Sequence, residues 1–348
     1  MGDLFNVTYG RGVARGLGAE IATRHGRPVV LTQPEPWASL ERDFGTEPAA
    51  VVMVEGLERA YLDGLVRDLP PGPVVGIGGG SAMDAAKWVH FHGKRPLWNV
   101  PSLPSVNACF THMVAVRDAT GVHYSADAIP EMVFVDFDLM REAPAHLLRG
   151  GIGDVFTCHT ARWDWEYAVA RGHTPAWDDH AAAESLRIVA RLHEIAPEIR
   201  ERTDVGIREL MELHRLIGKM CDDYGHARFE EGSEHFFAYC FEFVNGHTIM
   251  HGELGSLGVL IMSALQGNRP DYARDIVSRN LSVRETESVV RKAAETPKPE
   301  KAEATAPKAD VHTRAAEERL RLAFGTREIG RAHAELQSHL NLVCRLLL

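Results

Sequence analysis

Residues 74–87 read VVGIGGGSAMDAAK, an apolar strand-like run that empties into glycines and restarts as an amphipathic, Ala-rich helix. No other stretch constrains the fold as much. Glycine lacks a Cβ, so an anion can reach the backbone at such a turn, and the following helix aims unpaired N–H groups and its positive dipole end at that anion. The stretch is not a Rossmann fingerprint, because Ser81 stands where the third glycine would fall, and no Gly-Lys-Ser/Thr follows to make a Walker A loop. Four glycines in five positions, Gly76 and Gly78, Gly79, Gly80, nevertheless favour phosphate contact over a purely structural turn, with Ser81 adding a hydroxyl donor.

Around this turn the chain alternates. Residues 5–9, 28–32, 49–55, 74–77, 97–100 and 132–137 read as short strands, with helical spacing at 10–26 and 57–69 and a loop at 33–37. Buried-looking strands alternating with helices predict an α/β domain with a parallel sheet, which puts the glycine turn at the carboxyl end of its strand, where such sheets bind ligands. Past residue 145 the pattern turns helical, at 145–159, 174–195, 205–222, 232–244 and 253–265. The predicted architecture is therefore an α/β N-terminal dinucleotide-binding domain (1–145) followed by an all-helical C-terminal domain (146–290). Residues 291–326 are rich in Ala, Lys, Glu and Pro and read as a charged linker or truncated segment. From Arg327 onward the string fits nothing upstream and resembles the conceptual translation of sequencing-adapter read-through, so residues 327–348 are read as an artefactual tail without function.

A net charge of −10 with no Lys/Arg cluster argues against nucleic acid as a partner. Apolar runs fall short of the ~20 residues that cross a bilayer, and no signal-peptide pattern opens the chain, so a cytoplasmic location is expected. Five scattered cysteines without a CxxC fit reduced thiols.

Individually, the polar candidates have ordinary explanations. Asp84 and Lys87, three apart on a helix, read as a surface pair. Asp154, in GGIGDVF, reads as a helix N-terminal cap. His235, His247 and His251 read singly as hydrogen-bonded interior or surface residues. An Asp and two His brought together across helices would differ, because three N/O donors can hold a divalent ion and leave a position open for a substrate oxygen. Glu253, two residues after His251, is then an outer partner or a first-turn acid.

In order along the chain, GGGSAMDAAK, the PSLPSVN loop, GGIGD, WDW, SEH and HGE together resemble the iron-containing alcohol dehydrogenase, glycerol dehydrogenase and dehydroquinate synthase superfamily, most closely its glycerol-1-phosphate dehydrogenase branch. The resemblance spans roughly residues 5–265. It implies a catalytic metal between the two domains, with Asp154, His235 and His251 as ligands, Zn²⁺ first and Fe or Ni as alternatives. It places NAD or NADP on Gly78, Gly79, Gly80 and Ser81, with Asp84 near the nicotinamide side and the loop residues Pro101, Ser102 and Ser105 over the cofactor.

Three departures stand out. Asn107 replaces an Asp that polyol enzymes of the group carry, and an amide can bind a substrate hydroxyl but cannot take its proton. Tyr239 replaces a second histidine, and the branch's later helices are not recognisable past about residue 290, which reads as truncation. The expected activity is hydride exchange between NAD(P) and the secondary alcohol of a small polyol or polyol phosphate, with His247 or a water taking the proton and assembly into a homo-oligomer expected. The alternatives are a dehydroquinate synthase-like sugar-phosphate cyclase, for which the 101–120 loop offers only Arg117, and a catalytically impaired nucleotide- and metal-binding homologue.

Overall fold

The computed structural model of the protein describes residues 4–118, 121–173, 175–245 and 250–280. Strands β1 (Val7–Gly10), β2 (Val29–Thr32), β3 (Ala50–Met53), β4 (Val74–Gly78), β5 (Leu97–Pro101) and β8 (Met132–Asp136) form one sheet in the order β1-β8-β5-β4-β2-β3. Every pairing in it is parallel. The interior strands β4 and β5 are buried along their whole length, which is why both read as continuous runs rather than alternating ones. Helices α1 (Leu17–His25), α2 (Pro34–Leu40), α3 (Arg59–Asp68) and α4 (Gly80–Gly93) make the crossovers.

After α5 (Phe137–Glu142) the described chain is helical: α6 (Ala145–Phe156), α7 (Cys158–Val169), α8 (Asp179–Arg200), α9 (Asp204–Tyr224), α10 (Ser233–Asn245), α11 (His251–Gln266) and α12 (Pro270–Asn280). An α/β sheet followed by helices is the predicted fold class. Its core is continuous across the two parts, running from Ala82 and Met83 of α4 through Phe110 to Ile152, Phe156, Leu210 and Ile217.

Several local expectations are corrected. Residues 33–37 are not a loop: Pro34 opens α2 at a position that needs no N–H, and the helix buries Trp37 and Leu40. The helix expected from residue 10 begins only at Leu17, because the Asp136 carboxylate holds residues 12–14 in a turn by accepting from the N–H groups of Gly12 and Ala14, both at 3.0 Å. The 145–159 helix is divided at Thr157. An antiparallel hairpin, β6 (Val114–Asp118) and β7 (Gly121–Ser125), and α12 were not anticipated. The segments 291–326 and 327–348 lie outside the described residues, and so does His247. No helix among the described residues is long and apolar enough to cross a membrane.

Candidate active site

The glycine turn sits where β4 ends and α4 begins. Gly78 has φ +148°, and a Cβ there would lie 1.8 Å from Gln33 Oε1, so only glycine fits. Helix α4 starts without a side-chain cap, leaving backbone donors for an anion, although the Gly79 N–H donates to Gln33 Oε1 at 3.1 Å. The 101–107 loop covers this turn. Ser102 N–H donates to the Gly78 carbonyl at 2.8 Å, Leu103 lies against Gly79 and Val106 against Gly80. Ser102 and Ser105 are buried, the Ser102 Oγ without a protein partner, while Ser81 is exposed.

Asp84 and Lys87 are not a surface pair. Lys87 is fully buried, 3.0 Å from the Asp84 carboxylate, and also donates to the carbonyls of Thr111 and Met113. Ala115, at the start of β6, also lies close enough to act on the Asp84 carboxyl. The pair therefore ties α4 to the segment leading into β6.

Glycines build the second half of the site. A Cβ on Gly153 would sit 1.9 Å from the Gly252 carbonyl oxygen, and one on Gly252 would sit 1.8 Å from that of Gly150. Backbone thus lies on backbone where α6 crosses α11, which is the physical content of GGIGD and HGE. The crossing brings Asp154 to His251, with Oδ1 and Nε2 3.4 Å apart. Asp154 is not an N-terminal cap: it is buried in the last turn of α6, and Pro144 precedes the helix.

His235 arrives from the first turn of α10, its ring 4.9 Å from that of His251. Ligand-type atoms of Asp154, His235 and His251 all fall within 4.8 Å of one another, the one such group among the described residues. SEH and WDW hold this histidine in place. Glu234 Oε1 meets His235 Nδ1 at 3.0 Å and accepts from Gly232 N–H at 2.6 Å, while Oε2 accepts from Thr160 Oγ1 at 2.7 Å. Asp164 accepts from Ser233 N–H at 2.7 Å and Oγ at 2.6 Å, capping α10. A carboxylate on Nδ1 turns the opposite nitrogen, Nε2, toward the cluster.

The electrostatics suit a cation. Burial pushes the Asp154 carboxyl up to about 7 against the pull of His235. Burial opposes charge on His235, yet Glu234, Glu231 and Asp154 lift it to about 10. Burial, with His235 and Arg117 nearby, drives His251 down to about 3. A buried carboxylate and two imidazoles within 4.8 Å of one another are a donor set that fits Zn²⁺ or Fe²⁺.

Asn107 ends the loop beside this cluster, close enough to act on the Asp154 carboxyl. Tyr239 lies beside His235 and His251, with ring centroids 6.1 and 6.0 Å away, and its hydroxyl is 3.2 Å from that of Tyr124 on β7. Tyr124 and Arg117 share one face of the hairpin, since their cross-strand partners are Ala115 and Val122. Two contributors escaped the sequence reading. One is Tyr124, in a strand too short and polar to announce itself. The other is His214 on α9, fully buried, with Nε2 2.9 Å from the Pro104 carbonyl oxygen and Nδ1 3.7 Å from Asp154 Oδ2.

A glycine turn under a polar loop, opposite a largely buried Asp-His-His cluster, agrees with the resemblance of the motifs to the iron-containing alcohol dehydrogenase and glycerol dehydrogenase superfamily. Residues 46–144 match the family described as iron-containing alcohol dehydrogenase. Among individual relatives, the chain is 27% identical over 269 residues to a glycerol-1-phosphate dehydrogenase (NAD(P)+) of Hyperthermus butylicus, covering 75% of this chain and 76% of that protein. It is 27% identical over 212 residues to the like-named protein of Saccharolobus solfataricus, covering 61% and 60%. The chain therefore spans less than two thirds of the length of that second relative. The solved structure of a probable glycerol dehydrogenase from Sinorhizobium meliloti superposes with a TM-score of 0.63 at 15% identity, covering 92% of this chain and 98% of that one, a likeness of fold.

Proposed function

We propose that the protein is a metal-dependent NAD(P) oxidoreductase acting on the secondary alcohol of a small polyol or polyol phosphate, as the names of its curated relatives suggest. The observation that carries this reading is the convergence of Asp154, His235 and His251 under the loop that also covers the glycine turn. In this reading those three residues hold one divalent ion, Zn²⁺ by donor set, and Gly78, Gly79, Gly80 and Ser81 hold the dinucleotide phosphates under Ser102 and Ser105. When bound, the ion supplies Lewis acidity to the substrate oxygen and the nicotinamide accepts the hydride.

The remaining work belongs to the chain. Burial of Asp154 and His235 excludes water from the reacting centre. The Asn107 amide, close to Asp154, orients a substrate hydroxyl. The Tyr239 and Tyr124 hydroxyls run from the histidines to a half-exposed position beside Glu231, 3.5 Å from Tyr124, and offer the alcohol proton a path to solvent. Arg117, on the same hairpin face and close enough to influence His251, supplies the cation that a phosphorylated substrate needs.

The test pairs metal analysis with turnover on polyols and polyol phosphates using NAD+ and NADP+. His235→Ala and His251→Ala should each lose bound metal and at least about a hundredfold in kcat/KM. Undiminished metal content in both variants would refute the site.

A further inference from the structure

The 101–107 loop touches both halves of the site, and one side chain joins them. His214 is fully buried on α9. Its Nε2 meets the Pro104 carbonyl oxygen at 2.9 Å, and because a carbonyl only accepts, Nε2 carries the hydrogen. Nδ1 is buried with no protein partner and faces Asp154 Oδ2 at 3.7 Å, beyond a direct hydrogen bond. The loop has no slack at this point: a Cβ on Gly151 would lie 1.6 Å from the Pro104 carbonyl oxygen and 3.0 Å from His214 Nε2. From the same loop Leu103 lies against Gly79 and Val106 against Gly80, while Asn107 lies close to Asp154.

We propose that His214 is a positioning residue, a rigid spacer that fixes the distance between the cofactor-covering loop and the Asp154 carboxylate, so that nucleotide occupancy and metal affinity are thermodynamically linked through it. The proposal rests on the reading that the site holds NAD(P) and a divalent ion. An imidazole suits the task because its two nitrogens are held at a fixed separation in one plane, and a displacement of Pro104 passes to the group beside Asp154 without a rotamer change. Linkage is reciprocal, so tightening of metal by nucleotide equals tightening of nucleotide by metal.

The experiment measures the Co²⁺ dissociation constant of the full chain with and without saturating NADH, and records the visible Co²⁺ absorption in both states. Wild type should bind Co²⁺ at least about fivefold more tightly with NADH present, with a shifted spectrum. His214→Phe keeps a planar aromatic ring, somewhat larger than imidazole, but removes both nitrogens, and should bring the ratio to about one and abolish the spectral shift. His214→Gln keeps a donor for Pro104 on a flexible stem. It should retain metal-free NADH affinity within about twofold while losing most of the ratio, and it decides the matter if the Phe variant does not fold. An unchanged ratio in whichever variant folds overturns the proposal. Wild type that binds Co²⁺ and NADH without linkage overturns it alone; wild type that binds neither overturns the site reading with it.

Discussion

Lys87→Met tests whether α4 is anchored as described. The ammonium is fully buried and the Asp84 side chain is 8% exposed, so water screens their interaction little. Removing the ammonium leaves a carboxylate in the core and withdraws a donor from the Thr111 and Met113 carbonyls. Breaking a buried pair from one side costs about 3–5 kcal/mol. Asp84→Asn with Lys87→Met should recover most of that, since the amide carries no charge into the core. Urea unfolding followed by tryptophan fluorescence reads both, Trp88 lying next to Lys87.

The pH dependence has a defined sign. Burial already raises the Asp84 carboxyl above its ordinary value, with Lys87 opposing, so the single variant raises it further. A carboxyl that holds its proton more tightly when folded loses stability as pH rises through the unfolded value, about 3.9, toward the folded one. The deficit of Lys87→Met relative to wild type should therefore shrink as pH falls toward 4. A loss below about 1 kcal/mol at pH 7, or a deficit that grows in acid, would refute the buried pair.

Two further outcomes are expected. Gly252→Ala places a methyl 1.8 Å from the Gly150 carbonyl oxygen and should cost about 1–3 kcal/mol and lower the metal content of the purified protein, whereas Gly255→Ala, whose nearest atom is 3.5 Å away inside α11, should leave the metal content unchanged and not lower stability. His159 is buried, 3.0 Å from the Asn268 carbonyl oxygen, and burial lowers its pKa. Its contribution to stability is present above about 6.5 and lost as pH falls toward the folded value, so His159→Gln should flatten the stability profile between about pH 7 and 5 in urea denaturation.

What the sequence disclosed followed from local chemistry. Strands β4 and β5 announce themselves because burial on both faces leaves no polar alternation, and Gly78 to Gly80 mark a turn because Gln33 and the loop leave no room for Cβ atoms. Helix α2 was hidden by Pro34, which punctuates loops and opens helices alike. The burial of Asp84 and Lys87 could not be read, since two charges three apart look the same on an exposed face and a covered one. His214 was invisible for a different reason. It lies in an unremarkable ELHRL string, and its role depends on Pro104 and Asp154, which lie 110 and 60 residues earlier in the chain.

The glycine crossing of α6 and α11 bears on how this chain can diverge. The spacing between Asp154 and His251 depends on atoms that are missing, the Cβ atoms of Gly150, Gly153 and Gly252. On the proposed reading, a descendant could keep Asp154, His235 and His251 and still forfeit the ion they would hold through one methyl group at a neighbouring position. Inheritance of chemistry in this lineage is therefore written as much in its smallest residues as in its reactive ones. A survey scoring only Asp154, His235 and His251 would count silent copies as live.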